Sequence, residues 1–257
     1  MILRRFMKHV TDQNWFAVGL DVIVVITGIF LGMQVSEWNE GRQNRQLEIE
    51  YLERIKADLQ KDSDMLEIIY TSAIGSLAQA DLLLTALEDE ALLMEKSTDF
   101  ARSVREVAWS SFFHPVGTTW NELNASGRLI LISSVPLRDG LATHYEYAFS
   151  QWSDIFREMS LAYRLEMTGV LPVYVEKALR GLPEERKGLV VSPEDALEIR
   201  DAWNSRPRLR DLLIQQISMH SMRRDLAHKE RPIQMRIDNL LHAIDEHLAG
   251  LKGKSLP

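Results

Sequence analysis

Histidines spaced against other ligating or charged residues are the first place to look for chemistry in this chain. His220 and His228 fall about two turns apart on one helix face, and His242 with Glu246 has the i, i+4 spacing that can hold a metal ion. Two possible ligands fall short of a site. There is no H-E-x-x-H, no G-x-S-x-G, no glycine-rich phosphate loop and no paired-carboxylate arrangement with a clear setting. The absence of cysteine excludes disulfides, thiol nucleophiles and thiolate metal centres. The residues therefore predict no enzyme, no cofactor and no metal.

Two further patterns carry possible binding chemistry. Tyr145, Phe149, Trp152 and Phe156 recur at helical spacing and either line a ligand groove or pack a core. The region from Arg206 to Arg236 is a basic island holding Arg206, Arg208, Arg210, Arg223, Arg224, Lys229, Arg231 and Arg236. Asp211, Asp225 and Glu230 interrupt it, and the whole chain has a formal net charge of -7. That balance argues against nucleic acid as the partner and for pairing with Asp58, Asp62, Asp64 and Glu67 of an earlier helix.

The elements that must position these residues begin with a membrane span. Trp15 to Trp38 is apolar almost throughout and carries no lysine or arginine. It covers about 34 Å as a helix, against a hydrocarbon core of about 30 Å. Trp15 and Trp38 stand at its ends as interfacial anchors. Gly28 and Gly32 form G-x-x-x-G, and Asp21, seven residues before Gly28, falls on nearly the same face. That face predicts packing on a membrane protein partner or on a second copy, making the protein an oligomer or a subunit of a complex; the alternative is that Asp21 reaches headgroup water. Arg4, Arg5 and Lys8 precede the span, which predicts a cytoplasmic tail over 1–14 and a periplasmic domain after it. So short a tail houses no output domain, so any signal would pass through a separate membrane partner.

Beyond the span the helix is expected to continue. Leu52, Ile55, Leu59, Leu66, Ile69, Ala73, Ala80, Leu83 and Leu87 follow three-four spacing, with Asp62 and Ser76 in the two slots that break the stripe. Such a rod is either a parallel coiled coil or the first helix of an antiparallel bundle. A charged break follows from Glu88 to Thr98, then a helix capped by Ser97, Thr98 or Asp99. Thr118 to Gly127 reads as a short helix with Gly127 just past its end, and Arg128 to Ile132 as an extended or short helical connector. A long helix is expected from Ser134 towards Gly169, a loop from Gly181 to Val191, and a strong helix start at Ser192-Pro193. The last helices run from about Pro207 to Ala249 with a break at Pro232, and the residues from Gly250 on are expected to fray.

The run from Gly28 to Glu40, GIFLGMQVSEWNE, with an acid seven residues ahead of it and LEIEYL behind it, resembles a family of uncharacterised bacterial single-span membrane proteins known only as a domain of unknown function. Thr119-Trp120-Asn121-Glu122-Leu123, Ser126-Gly127 and Leu137-Arg138 resemble its second characteristic block. This chain departs from the pattern with Asp21 in place of the usual glutamate and Leu20 in place of the preceding glycine. The resemblance implies a topology and lends no activity. The expectation is thus an all-α, single-pass bacterial inner-membrane protein. Its helical bundle over 39–250 is followed by a flexible tail over 251–257 and acts as a non-enzymatic accessory or scaffold. Alternatives are a ligand-sensing bundle and, third, a metal-dependent enzyme centred on His242 and Glu246.

Overall fold

The computed structural model describes residues 15–146, 149–228 and 232–253, and among them every regular element is a helix. Helix α1, Trp15–Glu88, contributes its first part to a compact unit of Met1–Tyr51 and the rest to a second, Leu52–Pro257. In the first unit the large apolar side chains from Val22 to Val35 are all more than half exposed, between 51% and 65%. This is the one described helix long and apolar enough to cross a membrane. No face of it carries the polar stripe that marks a helix lying on a soluble core.

The second unit obeys the opposite rule. Leu52, Ile55, Leu59, Leu66, Ile69, Ala73, Ala80 and Leu83 are buried, so the stripe read from the sequence is a core-facing stripe covered by the chain itself. Asp62 and Ser76, the two polar slots, are buried with it. Electrostatic ties from α1 reach α11, Pro232–Gly253, through Lys56 to Asp245 and Lys252 to Glu53.

The expected charged break after α1 is itself helical. Asp89 Oδ1 accepts from the backbone N–H groups of Ala91 and Leu92 and starts α2, Glu90–Glu95, after which α3, Ser97–Glu106, follows at once. Ser97 is therefore inside a helix, where its hydroxyl donates to Met94 O, and α3 has no side-chain cap. The apolar residues Leu93, Phe100 and Val104 make this turn worth folding, since all three are buried.

Helix α4, Thr118–Ala125, ends as predicted, with Gly127 at φ 67°, a left-handed conformation that glycine adopts without steric cost. A 3₁₀ turn, Arg128–Leu131, forms the connector. Where a long helix is expected from Ser134, the described residues form α5, Val135–Glu146, and α6, Phe149–Glu166, on either side of 147–148, which lie outside the described residues; the two pack on different partners. Helix α5 packs on α11, where Gly140 allows close approach: a Cβ there would stand 3.0 Å from Leu240 Cδ2. Helix α6 packs on α10, Arg208–Ala227.

Two other expectations are corrected. The loop from Gly181 to Val191 contains α8, Pro183–Lys187, just after α7, Val173–Arg180. Residues 250–253, expected to fray, are helical, with Leu251 still buried, and 254–257 lie outside the described residues. By contrast α9, Pro193–Asn204, begins as read, with Pro193 at its first turn and Ser192 Oγ accepting from Asp195 N at 3.0 Å. The main core gathers α1, α3, α6, α9 and α10 around Phe100, Tyr163, Trp203 and Leu212, with Tyr163 donating its hydroxyl to Val104 O at 2.8 Å.

Candidate functional site

The residues singled out from sequence fall into separate places. In the span, a Cβ added at Gly28 or Gly32 meets nothing within 4 Å, and Trp38 is 68% exposed. The side chains of Trp15, Asp21, Phe149 and Trp152 lie outside the described residues, as do the tail 1–14, Lys229 and Arg231. Tyr145 stacks on Trp120 with ring centroids 5.6 Å apart, whereas Phe156 stacks on Phe112 at 6.0 Å. These two rings stack on different partners. The cavity beside Phe156 holds only about 30 Å³, room for roughly one water.

The metal candidates also separate. His242 and Glu246 stand 3.4 Å apart on an exposed face, and no group of three or more ligating side chains occurs among the described residues. His220 is buried, while His228 meets the edge of Tyr70 at 5.5 Å. Described members of the basic island enter structural contacts. Arg206 donates to the carbonyls of Glu166 and Thr168, Arg210 pairs with Glu88 and Arg224 with Asp225.

What the fold builds instead is a pinned irregular segment, Val107 to Gly117, between α3 and α4. Irregular backbone inside a helical protein must find partners for its N–H and C=O groups. Asp62 Oδ1 accepts from Val116 N at 2.6 Å while its Oδ2 meets His144 Nε2 at 2.9 Å. One turn earlier on α1, Asp58 Oδ2 accepts from Thr119 N at 3.2 Å and from the Thr119 hydroxyl at 2.7 Å. Gly117 offers no side chain to cap α4, so a carboxylate from another helix does it, at the end where the dipole favours a negative charge. The Thr-Trp-Asn-Glu block thus has a physical role. Thr119 takes the cap, Trp120 carries Tyr145, and Glu122 pairs with Arg54.

A second junction holds the other end of the segment. His220 Nε2 lies 2.6 Å from Val107 O and its Nδ1 2.8 Å from Arg223 Nη1. A carbonyl only accepts and a guanidinium only donates, so this imidazole is neutral with its proton on Nε2. Burial holds the His220 pKa down at about 4; the Val107 bond opposes that and the Arg223 charge adds to it. Arg223 also donates Nε to Ser111 O at 3.1 Å and lies 5.9 Å from the centre of the Phe112 ring. Burial brings its pKa down to about 10.

Asp62 and His144 are 0% and 2% exposed at the side chain, so the pair meets no substrate and serves as a clamp. Tyr145 completes the surroundings: its buried hydroxyl has no hydrogen-bond partner among the described residues, and burial, then the charges of Asp62 and Asp58, hold its pKa well up. Between the two junctions Trp109 turns outward, 64% exposed. Cavities of about 480 Å³ and about 330 Å³ share Arg105, Trp109 and Arg180 in their walls. A rigid scaffold displaying an irregular segment is where binding residues concentrate. The sequence contained one usable signal for the clamp, the polar residue in an apolar stripe slot. For Trp109 and its arginines, spread over three segments, it contained none.

No family model matches the chain, in keeping with an uncharacterised family, and no solved structure matches it. The chain is similar to clarin-3 of Mus musculus at 26% identity over 210 residues, 73% of this chain and 84% of that protein. An identity that low does not place the chain in a family.

Proposed function

We propose that the chain is a membrane-anchored, non-enzymatic accessory or scaffold protein. Its span packs on a membrane protein partner, or on a second copy, through the face of Asp21, Gly28 and Gly32, and its helical unit binds a partner protein. The observation that carries this reading is the helix from Val22 to Val35, apolar and more than half exposed at every large side chain. Water charges about 25 cal/mol for each Å² of such surface, and lipid or another helix removes that cost. Small residues at Gly28 and Gly32 let a neighbouring backbone approach closely, which stabilises helix pairs in lipid. In this reading the membrane is a bacterial inner membrane, and the lysine and arginine bias around the span supports an orientation with Arg4, Arg5 and Lys8 in the cytoplasm and the helical unit in the periplasm.

The absence of native cysteine makes the placement directly testable. A Ser255→Cys chain expressed in intact Gram-negative cells is expected to react with a membrane-impermeant maleimide that crosses the outer membrane, and to stay in the membrane pellet after alkaline extraction. Release of the protein by alkali sinks the anchor reading. The complex purified in mild detergent is expected to shrink when Gly28 and Gly32 are both replaced by leucine. An unchanged complex size removes the span interface from the proposal.

A further inference from the structure

The walls around Trp109 concentrate positive charge in an acidic protein. Arg105 sits in the last turn of α3, Arg180 in the last turn of α7 and Arg186 in the last turn of α8, so three helix C-termini bring cations to one cavity. Each position is electrostatically reasonable alone, because a helix C-terminus favours a cation. Their convergence is another matter. Glu176 contacts both Arg105, at 3.6 Å, and Arg180, at 3.1 Å, and among the described residues Glu106 is the one carboxylate in the wall of the larger cavity. The adjoining cavity adds Arg164. Among the described residues four guanidinium groups therefore stand against two carboxylates, in a chain with a net charge of -7. The Arg105 pKa is pushed down, first by burial; Glu176 opposes that, and the charges of Arg180 and Arg186 add to it.

The remaining wall suits a small molecule. Ser72, Ser76 and Gln79 of α1 supply hydroxyl and amide groups, and the cavity of about 480 Å³ falls within the roughly 300–1,000 Å³ typical of small-ligand sites. The exposed indole of Trp109 offers a flat apolar surface whose backbone is fixed from both sides by the His220 and Asp62 junctions. Guanidinium forks match the oxygens of a carboxylate or phosphate two at a time.

We propose that the cleft formed by Arg105, Arg180, Arg186 and Trp109 binds a small organic oxyanion, a carboxylate or phosphate ester, whose apolar part lies on the Trp109 indole. The site is independent of the membrane reading: loss of the anchor or of the span interface leaves it standing. It requires only the helical unit.

The test is calorimetric titration of the purified full chain, in detergent, with phenyl phosphate and with benzoate, each to about 10 mM. Saturable one-to-one binding of at least one probe is expected. The Arg180→Gln, Arg186→Gln double variant should weaken it about ten-fold or more, and so should Trp109→Ala. Which probe binds more tightly decides between phosphate and carboxylate. Arg180 is 72% exposed, so its substitution leaves the fold intact, and a thermal unfolding curve checks both variants. Saturation by neither probe overturns the proposal. So does binding that either folded variant leaves within about two-fold of the parent chain.

Discussion

The two stretches of α1 solve opposite problems with the same backbone. From Val22 to Val35 the helix is apolar on every side and its large side chains are uncovered; from Leu52 to Leu83 it is apolar along one stripe and that stripe is buried. The difference in what each tolerates is sharpest for a charged group. A carboxylate in the apolar stretch has only lipid or a neighbouring helix to turn to, at a cost that is large when no partner answers. In the buried stripe Asp62 occupies a core slot and is satisfied by Val116 N and His144, so the fold depends on it. Burial of a polar group is governed by its partners more than by its position.

The largest effect that follows is at the clamp. Asp62→Ala leaves Val116 N and His144 buried without their acceptor, and unfolding by denaturant should show a loss of about 3 kcal/mol or more. A loss below about 1 kcal/mol would mean that the segment from Val107 to Gly117 holds itself without the clamp. The mirror experiment places a charge in the other stretch. Ile26→Lys should cost membrane insertion about 3 kcal/mol and deplete the membrane fraction, while the unfolding transition of the helical unit stays unchanged.

The second junction predicts a pH dependence. His220 has a folded pKa of about 4 against an ordinary value of 6.5, so between these the unfolded chain binds the extra proton. Stability contributed by the neutral imidazole is complete above about pH 6.5 and is lost progressively as the pH falls towards 4, by at most about 3 kcal/mol. His220→Phe should flatten that part of the stability profile; a slope unchanged in the variant would assign the loss to other groups. The smallest effect is at Gln79, whose buried Oε1 has no hydrogen-bond partner among the described residues. Gln79→Met removes an unsatisfied acceptor while keeping the volume, and should be neutral or stabilising by about 1 kcal/mol in the same denaturation assay.

Much of this architecture was present in local sequence signals, because the physics behind them is local. The length of the apolar run, the three-four spacing after Leu52, the Ser192-Pro193 start, the glycine after α4 and the break at Pro232 each depend on a few neighbouring residues, and each appears where it was read. Local periodicity did not show where partners change: α5 and α6 are both apolar at helical spacing, yet one packs on α11 and the other on α10. The candidate site was the least legible part. Asp62 finds His144 across 82 residues, and Arg105, Trp109, Arg180 and Arg186 converge only after α3, α7 and α8 have packed. The sequence alone determined the end of α4, the start of α9 and which stretch can enter a membrane. Only tertiary packing decided which polar residue answers which, because a buried donor or acceptor is satisfied by whatever the fold brings within about 3 Å, however far away it lies in the chain.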